Sequence, residues 1–234
     1  MKPAPYLILA ALAATAAAPA GSAPAGKAAP ASANWDRTVV ATPEGGFRMG
    51  NPAAKVKLIE YGSLTCSHCA AFAKEGMASL VGTYVRTGKV SYEYRNMVLN
   101  GLDVAATLVA RCGGPGRFFP VTDKLYATQD QWKGRVKALT DAQKQAVNAL
   151  PENQRLGRLA ELAGIPQFAA MQGLAPARSK SCLVDRAAFD RLGTMNEAAT
   201  AKGVEGTPTF FLNGANVGSH SWKTLEPILR EAAG

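Results

Sequence analysis

The sequence predicts an α/β fold in which strands near the two cysteines and near the C-terminus are separated by a long, mainly helical segment. Three observations predict this class. A largely apolar, strand-like run at residues 56–61 leads into the pair Cys66 and Cys69. A second apolar run at 209–212 lies near the C-terminus, and helical spacing dominates the long stretch between the two runs.

The first elements are short strands around a turn. Residues 38–42 and 47–50 have strand character and enclose Pro43-Glu44-Gly45-Gly46, a turn-forming sequence. The run 56–61 has apolar residues on both faces, as a covered central strand does. A helix is predicted from Cys66 to about residue 84, followed by a strand at 90–95.

Helices then dominate up to the last strand. In the first of them, Leu102, Ala105, Val109 and Cys112 share one face and Gly113 ends it. A later helix places Phe189, Leu192 and Met195 inward, with Gly203 as its cap. The full prediction comprises helices at 103–112, 118–126, 141–150, 155–163, 185–201 and 224–232, a strand at 209–212 and a turn at 213–214.

The N-terminus predicts export. Residues 1–20 have the pattern of a signal peptide: Lys2 is a minimal positive region, and the apolar stretch 7–18 is too short to span a bilayer. Ala18-Pro19-Ala20 fits a cleavage site, so we expect cleavage after Ala20 and export to the periplasm. An uncleaved N-terminal anchor remains the alternative. Residues 21–35 are rich in Ala, Pro, Gly and Ser and predict a flexible leader.

Length and charge limit the function classes. The chain has 234 residues and a net charge of +9. The expected cleavage after Ala20 leaves 234 − 20 = 214 residues, enough for one domain with a sizeable core or for a domain with an insertion. Such a charge is compatible with a nucleic-acid or anionic-membrane partner. The basic residues are scattered, however, and the densest cluster (Lys133, Arg135 and Lys137) is flanked by Asp130 and Asp141. We therefore expect a solvated face there and no nucleic-acid binding.

The sequence Cys66-Ser67-His68-Cys69 predicts thiol–disulfide chemistry. Two residues between the cysteines place both sulfurs on the first turn of a helix, whose N-terminus stabilises a thiolate at Cys66. A His68 imidazolium would stabilise it further. The pair is also half of a four-cysteine zinc site, but the other cysteines, Cys112 and Cys182, stand alone and far apart. We therefore expect no metal.

Together these parts resemble the thioredoxin superfamily and, more closely, its exported DsbA-like branch. The resemblance rests on the long segment between two runs, Glu60-Tyr61-Gly62-Ser63-Leu64-Thr65-Cys66-Ser67-His68-Cys69 and Gly203-Val204-Glu205-Gly206-Thr207-Pro208-Thr209-Phe210-Phe211. It implies a thioredoxin-like domain, with a central mixed sheet flanked by helices, at 36–100 and 190–234, and an inserted helical domain at 101–189. At the position of Ser67 proline is common in the DsbA-like branch. Because the dipeptide between the cysteines tunes the redox potential, the resemblance does not determine the potential of this protein.

The resemblance also implies roles for residues. Thr207 and Pro208 would be joined by a cis bond that faces the cysteine pair and would bind substrate. Glu60, six positions before Cys66, would be a shielded acid that exchanges protons with Cys69. A solvated carboxylate at a sheet edge is the alternative for Glu60. We expect His220 to be a surface residue without a catalytic role.

We expect Cys112 and Cys182 to form a structural disulfide across the helical insertion. Two unpaired thiols beside an active oxidase would be a hazard in an oxidising compartment, and pairing removes it. Cys112 falls at the end of a predicted helix, and Cys182 is predicted to follow a loop at 175–181. Two separately buried free cysteines are the alternative.

The predicted function is therefore that of a monomeric periplasmic oxidase that donates its Cys66–Cys69 disulfide to exported proteins with free thiols. The resemblance implies reoxidation by a DsbB-like, quinone-linked membrane partner and no organic cofactor. Two alternatives remain. One is a disulfide isomerase or reductase, although isomerases of this superfamily usually carry a folded N-terminal dimerisation domain that the short leader does not resemble. The other is a peptide-binding or chaperone module with a merely structural cysteine pair.

Overall fold

The computed structural model describes residue 1 and residues 34–234, so the predicted signal peptide and most of the predicted leader lie outside the described residues. A mixed sheet of six strands forms the centre of the described part. Its spatial order is β1-β2-β4-β3-β5-β6. The strands are β1 Val39–Ala41, β2 Phe47–Met49, β3 Val56–Gly62, β4 Val90–Asn96, β5 Thr209–Leu212 and β6 Ala215–Gly218.

The strand that leads to the cysteines lies in the middle of the sheet. β3 pairs in parallel with β4 and antiparallel with β5, while the outer strands add antiparallel pairs. Val56, Leu58 and Glu60 face one side of the sheet, and Tyr61 faces the other. The prediction of a covered central strand is confirmed. The extra strand β6 was not predicted, because its sequence after Asn213-Gly214 lacks a run of apolar residues.

Helices follow β3 and β6 and fill the segment between β4 and β5. α1 follows β3 directly and continues into a π-helical turn at Leu80–Val85. The helices are α1 Ser67–Ser79, α2 Gly101–Arg111, α3 Pro115–Ala127, α4 Gln129–Lys137, α5 Asp141–Asn148, α6 Glu152–Ala163, α7 Ile165–Ala170, α8 Pro176–Leu183, α9 Arg186–Ala201 and α10 Trp222–Ala233. A mixed sheet flanked by helices, with a helical insertion, confirms the predicted fold class.

The sheet and the inserted helices share one hydrophobic core. Phe118 of α3 stacks on Phe47 of β2 with ring centroids 4.2 Å apart. Trp132 of α4 is fully buried and donates a 2.8 Å hydrogen bond from Nε1 to the carbonyl oxygen of Leu125. The Phe118–Phe47 contact fixes α3 against the sheet, and the Trp132 hydrogen bond joins α4 to α3.

A disulfide joins Cys112 to Cys182, with their Cα atoms 5.8 Å apart. Cys112 caps the end of α2, as the sequence predicted. The loop predicted before Cys182 is wrong: residues Pro176–Leu183 form α8. Proline is favourable in the first turn of a helix, where its missing N–H has no intrahelical partner, so Pro176 begins this helix rather than excluding it.

In the described part of the chain, no helix has the length and apolar character needed to cross a membrane.

Candidate active site

Cys66 caps the N-terminus of α1. Its backbone is extended, and its sulfur accepts a hydrogen bond from the Cys69 backbone N–H at 3.5 Å. This is the geometry by which Ser or Asp caps a helix, with a sulfur as the acceptor. The sulfur therefore lies where the free N–H groups and partial positive charge of α1 are concentrated.

These contacts make Cys66 an acidic thiol. Its pKa falls to about 5, first because the Cys69 side chain donates a hydrogen bond to the thiolate. The Thr207 side chain and the backbone N–H groups of Cys69 and His68 lower the pKa further, whereas partial burial opposes them. At neutral pH a free Cys66 is a thiolate, the reactive form of cysteine.

His68 takes part through its backbone. Its N–H contributes to the lowered pKa of Cys66, while its side chain is exposed to solvent. A charge in solvent acts weakly on a neighbour. The predicted contribution of the imidazolium remains a prediction.

Cys69 has the opposite character. It is fully buried one turn into the helix, and both cysteines are free thiols in this structure. Burial raises the pKa of Cys69 well above its usual value, and the nearby Cys66 and Glu60 raise it further. The two sulfurs of one helical turn therefore differ in exposure and in acidity.

Glu60 lies in the central strand β3 and is only 1% exposed. The hydroxyl of Tyr92 donates a 2.6 Å hydrogen bond to its Oε2. Burial raises the pKa of Glu60 to about 8, against the opposing effect of that hydrogen bond. The structure excludes a solvated carboxylate at a sheet edge. When ionised, Glu60 raises the pKa of the buried Cys69 further.

Thr207 and Pro208 approach the cysteine pair from the other end of the chain. Their peptide bond is cis. The Cys66 thiol donates to the Thr207 carbonyl oxygen at 3.1 Å. The Thr207 hydroxyl is buried and has no hydrogen-bond partner among the described residues. This donor is therefore available to a Cys66 thiolate, and a hydrogen bond from it lowers the pKa of Cys66.

Asp103, which the sequence did not single out, holds the loop before Cys66. It is fully buried at the start of α2. Its carboxylate accepts hydrogen bonds from the Ser63 hydroxyl at 2.6 Å and from the backbone N–H groups of Leu64 and Leu99 at 3.0 and 2.9 Å. The sequence signal that could have identified it is an acid inside an otherwise apolar helix.

Two polar side chains of α4 bind the same loop from the insertion. The Gln129 Nε2 donates to the carbonyl oxygens of Leu64 and Cys66, at 2.8 and 2.9 Å. The Lys133 Nζ donates to that of Thr65 at 2.7 Å. The sequence predicted a solvated face around Lys133, and for this lysine the prediction is wrong. Gln129 and Lys133 lie four residues apart on α4, a helix that was not predicted, so both side chains point to the same side and reach the loop.

A cleft of about 1180 Å³ runs beside α1, between that helix and the helices α3 and α4. Ser67, Lys74 and Phe119 are among its walls, as is Asp123. The surrounding protein raises the pKa of Asp123 to about 6, although its side chain is open to the cleft. When ionised, Asp123 adds to the cost of ionising Glu60.

The remaining titratable candidates do not join this site. The His220 ring bonds to the Val217 carbonyl oxygen at 2.7 Å and to the Thr224 hydroxyl at 3.1 Å, close to its own position in the chain. Cys112 and Cys182 are occupied by their disulfide. Within residues 34–234 no group of three or more His, Cys, Asp or Glu side chains is arranged to hold a metal ion.

Comparison with known proteins identifies the family. A family model described as thioredoxin matches residues 42–231. A Rickettsia conorii protein named "Putative protein-disulfide oxidoreductase" is 28% identical over 189 residues, which are 79% of this chain and 59% of that protein. The chain thus spans about three fifths of the length of the curated relatives it matches.

Solved structures extend the comparison. A protein-disulfide isomerase from Novosphingobium aromaticivorans is 31% identical, with a TM-score of 0.76 over 81% of this chain and 97% of that one. The α-DsbA1 of Wolbachia pipientis is 22% identical and has the same fold, with a TM-score of 0.64 over 80% of this chain and 90% of that one. The chain therefore belongs to the thioredoxin superfamily and has the fold of its DsbA-like members.

Proposed function

We propose that this protein is a thiol–disulfide oxidoreductase that donates its Cys66–Cys69 disulfide to other proteins. The observation that carries the proposal is the difference in acidity between the two cysteines. The pKa of Cys66 is lowered to about 5, whereas that of Cys69 is raised well above its usual value. A stabilised Cys66 thiolate favours the reduced enzyme, so the disulfide form is a good oxidant.

The proposed reaction has two exchange steps. A substrate thiolate attacks the Cys66 sulfur, the Cys66–Cys69 bond breaks, and Cys69 leaves as a thiolate. Because Cys69 is buried and basic, it takes up a proton, which protonated Glu60 supplies. A second substrate thiolate then attacks the substrate sulfur of the mixed disulfide and releases the Cys66 thiolate. Two electrons pass from the substrate to the enzyme.

Substrate would bind beside the cis bond. The Thr207 carbonyl oxygen lies 3.1 Å from the Cys66 sulfur, so a chain lying along residues 207–208 brings its own cysteine to Cys66. Main-chain hydrogen bonds to an extended peptide would allow many sequences to bind. We propose exported proteins with free thiols as the substrates.

The cellular setting is part of the same proposal. The signal-peptide pattern at residues 1–20 supports export to the periplasm, where disulfides persist. We propose that the protein acts there as a monomer and that a DsbB-like membrane oxidase reoxidises it.

An isomerase or reductase is the second candidate, because the Novosphingobium protein that is 31% identical carries the name protein-disulfide isomerase. A redox titration against glutathione separates the two. The reduction potential of protein disulfide isomerase is roughly −180 mV, and that of DsbA is roughly −120 mV. If this protein is an oxidase, its midpoint potential should lie above the first value and close to the second. A midpoint at roughly −180 mV or below would contradict the oxidase proposal and favour the second candidate.

A non-catalytic chaperone is tested by a different reagent. Carboxymethylation of Cys66 should abolish the oxidation of a reduced, unfolded substrate protein. The same treatment should spare a purely peptide-binding activity. Full protection against aggregation together with absent oxidation in the untreated protein would favour the chaperone.

A further inference from the structure

The proposed proton donor Glu60 is closed off from solvent. It is only 1% exposed, and Tyr92, whose hydroxyl donates to its Oε2 at 2.6 Å, is itself only 2% exposed. In the proposed reaction Glu60 protonates Cys69 and must then regain a proton. Because a proton passes only within hydrogen-bond reach or through one intervening group, a further residue has to connect Glu60 with solvent.

Helix α3 covers the face of the sheet that carries Glu60. In the parallel register of β3 and β4, Glu60 is opposite Tyr94, and Tyr92 lies two residues before Tyr94, so all three side chains share this face. Phe119 of α3 packs on Tyr92, with ring centroids 5.8 Å apart. The hydroxyl of Tyr126, also on α3, is hydrogen-bonded to that of Tyr94 at 2.6 Å. One side of α3 therefore packs directly on the Glu60 face.

Asp123 lies on that side of α3. It follows Phe119 by four residues and precedes Tyr126 by three, and all three residues line the cleft of about 1180 Å³ beside α1. The Asp123 side chain is exposed in this cleft. Burial is the main cause of the raised pKa values of Glu60 and Tyr92, and the negative charge of Asp123 raises both further. Asp123 thus borders both solvent and the buried pair.

Within the described residues no cation pairs with Asp123. The other charged residues that line the cleft are Lys74 of α1, Asp130 of α4, and Asp36 and Arg37 before β1. Of these, Asp36 is paired with Arg86 at 3.2 Å. Burial raises the pKa of Asp123 to about 6 and that of Glu60 to about 8. Near neutral pH each carboxyl can therefore both give and take a proton.

We propose that Asp123 is the outer proton carrier of the cysteine site and exchanges protons between solvent in the cleft and Glu60, with the Tyr92 hydroxyl as the link. This role rests on the proposed redox function. When Cys69 leaves as a thiolate, it takes the proton of Glu60. Tyr92 then passes its proton to Glu60 as it accepts one from Asp123, so it stays neutral, and a solvent acid reprotonates Asp123.

The path carries one proton inward and no electrons. When another disulfide reoxidises the enzyme, the Cys69 thiol must lose its proton before its sulfur can attack the mixed disulfide at Cys66. That proton leaves through Glu60, Tyr92 and Asp123 in the reverse order. Each full turnover therefore uses the path once in each direction.

Proton exchange at Glu60 can be measured without any redox reaction. In the reduced protein, nuclear magnetic relaxation dispersion of the isotope-labelled Glu60 carboxyl carbon gives the rate at which this group gains and loses its proton. Each variant is measured at the pH of its own Glu60 midpoint. Asp123→Asn should slow the exchange roughly a hundredfold, the lower end of what a positioned proton carrier contributes. Asp123→Glu keeps the carboxyl and should retain most of the rate.

Two further variants locate the path. Asp130→Asn is the matched control, because Asp130 is also an exposed carboxylate of the same cleft, and it should leave the exchange unchanged. Tyr92→Phe keeps the ring that packs on Phe119 and removes the linking hydroxyl, so it should slow the exchange as strongly as Asp123→Asn. Added imidazole, a small weak acid that fits the cleft, should restore exchange in Asp123→Asn but not in Tyr92→Phe.

Turnover connects the path to the redox reaction. With glutathione disulfide as the oxidant and a reduced protein as the substrate, Asp123→Asn should lower the maximal rate, and imidazole should restore it. A shifted pH midpoint with an unchanged maximal rate would reduce Asp123 to an electrostatic influence and overturn its role as a carrier. If the protein oxidises no substrate, the redox function fails, while the exchange rate of Glu60 still decides whether Asp123 carries its proton.

Three results of the exchange measurement would overturn the path. The first is an equal rate at Glu60 in wild type and Asp123→Asn. The second is an equal loss of rate in Asp123→Asn and Asp130→Asn, which would identify a general effect of the charge in the cleft. The third is a wild-type rate in Tyr92→Phe, which would exclude its hydroxyl as the link.

Discussion

The Cys66 thiol donates a 3.1 Å hydrogen bond to the carbonyl oxygen of Thr207, while the hydroxyl of the same threonine is buried without a partner among the described residues. The two groups serve different protonation states of the sulfur. A thiol can donate to the carbonyl oxygen, and a thiolate can accept from the hydroxyl. Thr207 thus faces both forms of Cys66 through two different atoms.

Replacing Thr207 by valine should raise the pKa of Cys66. Valine keeps the shape of threonine but cannot donate to the thiolate, and a hydrogen bond to a charged group is worth about 1.5–3 kcal/mol, or roughly one to two pKa units. The ultraviolet absorbance of the thiolate, followed against pH, measures the change. Thr207→Ser is the matched control and should retain most of the low pKa. Equal curves for wild type and Thr207→Val would remove the hydroxyl from this role.

Replacing His68 by alanine should raise the pKa of Cys66 by less than one unit. The variant keeps the backbone N–H and loses only an exposed imidazole, whose effect is screened by solvent. The same absorbance titration gives the value. A rise of two units or more would mean that the side chain, rather than the helix N-terminus, controls the thiolate.

Cys69→Ser should accumulate mixed disulfides with substrate proteins, and Cys66→Ser should accumulate few or none. The half-buried Cys66 is the sulfur that a substrate can reach, whereas Cys69 is fully buried. Non-reducing electrophoresis of each variant after incubation with a reduced substrate detects the trapped species. The reverse pattern would exchange the roles of the two cysteines.

Glu60→Gln should stabilise the reduced protein at neutral pH. The pKa of Glu60 is raised from 4.5 to about 8, so between these values the unfolded chain binds fewer protons and wild-type stability falls as pH rises. Glutamine does not titrate and still accepts the Tyr92 hydrogen bond. The free energy of unfolding of the variant should therefore exceed that of wild type by on the order of 3 kcal/mol at pH 7. Below pH 4 the two values should be almost equal.

Urea denaturation at several pH values measures that difference. The same variant should release Cys69 more slowly in the exchange reaction, because the proton donor is lost. A stability gap that does not vary with pH would contradict the buried, titrating carboxyl.

Cys112→Ser should lower the melting temperature without abolishing turnover. The disulfide joins residues separated by 70 positions in the sequence. By restricting the unfolded chain it stabilises the folded protein by roughly 4 kcal/mol at most. Cys182→Ser should have the same effect, and the double variant should add little. Mild reductant should open a Cys66–Cys69 disulfide before the Cys112–Cys182 disulfide. Detection of two free thiols in the denatured, fully oxidised protein would contradict the Cys112–Cys182 disulfide.

The sequence predicted the parts of the site that depend on local patterns. A strand, a cysteine pair and a helix follow one another closely, so Cys66 and Glu60 could be placed relative to each other from spacing alone. The contact of Cys66 with Thr207 spans the whole insertion. That pairing followed only from the resemblance to the superfamily, because no local pattern encodes the distance between remote segments.

Residues that act from the insertion could not be predicted in this way. α4 has few apolar residues, so its helical period was hidden and Gln129 and Lys133 resembled an ordinary charged surface. Pro176 and its small polar neighbours favour a loop by composition, although proline also begins helices and α8 begins there. In both cases the packing of helices against the sheet, rather than local composition, determines the structure.

The hydrogen bonds from Gln129 and Lys133 also mean that the insertion cannot be exchanged without affecting the cysteine site. They satisfy three consecutive carbonyl groups, those of Leu64, Thr65 and Cys66, from α4, a helix of the insertion that is separate from the cysteine-bearing helix α1. Exchanging the helical segment for that of a relative would therefore alter the backbone at the reactive sulfur as well as the surface offered to substrates. A chimera should inherit its redox behaviour partly from the donor of α4.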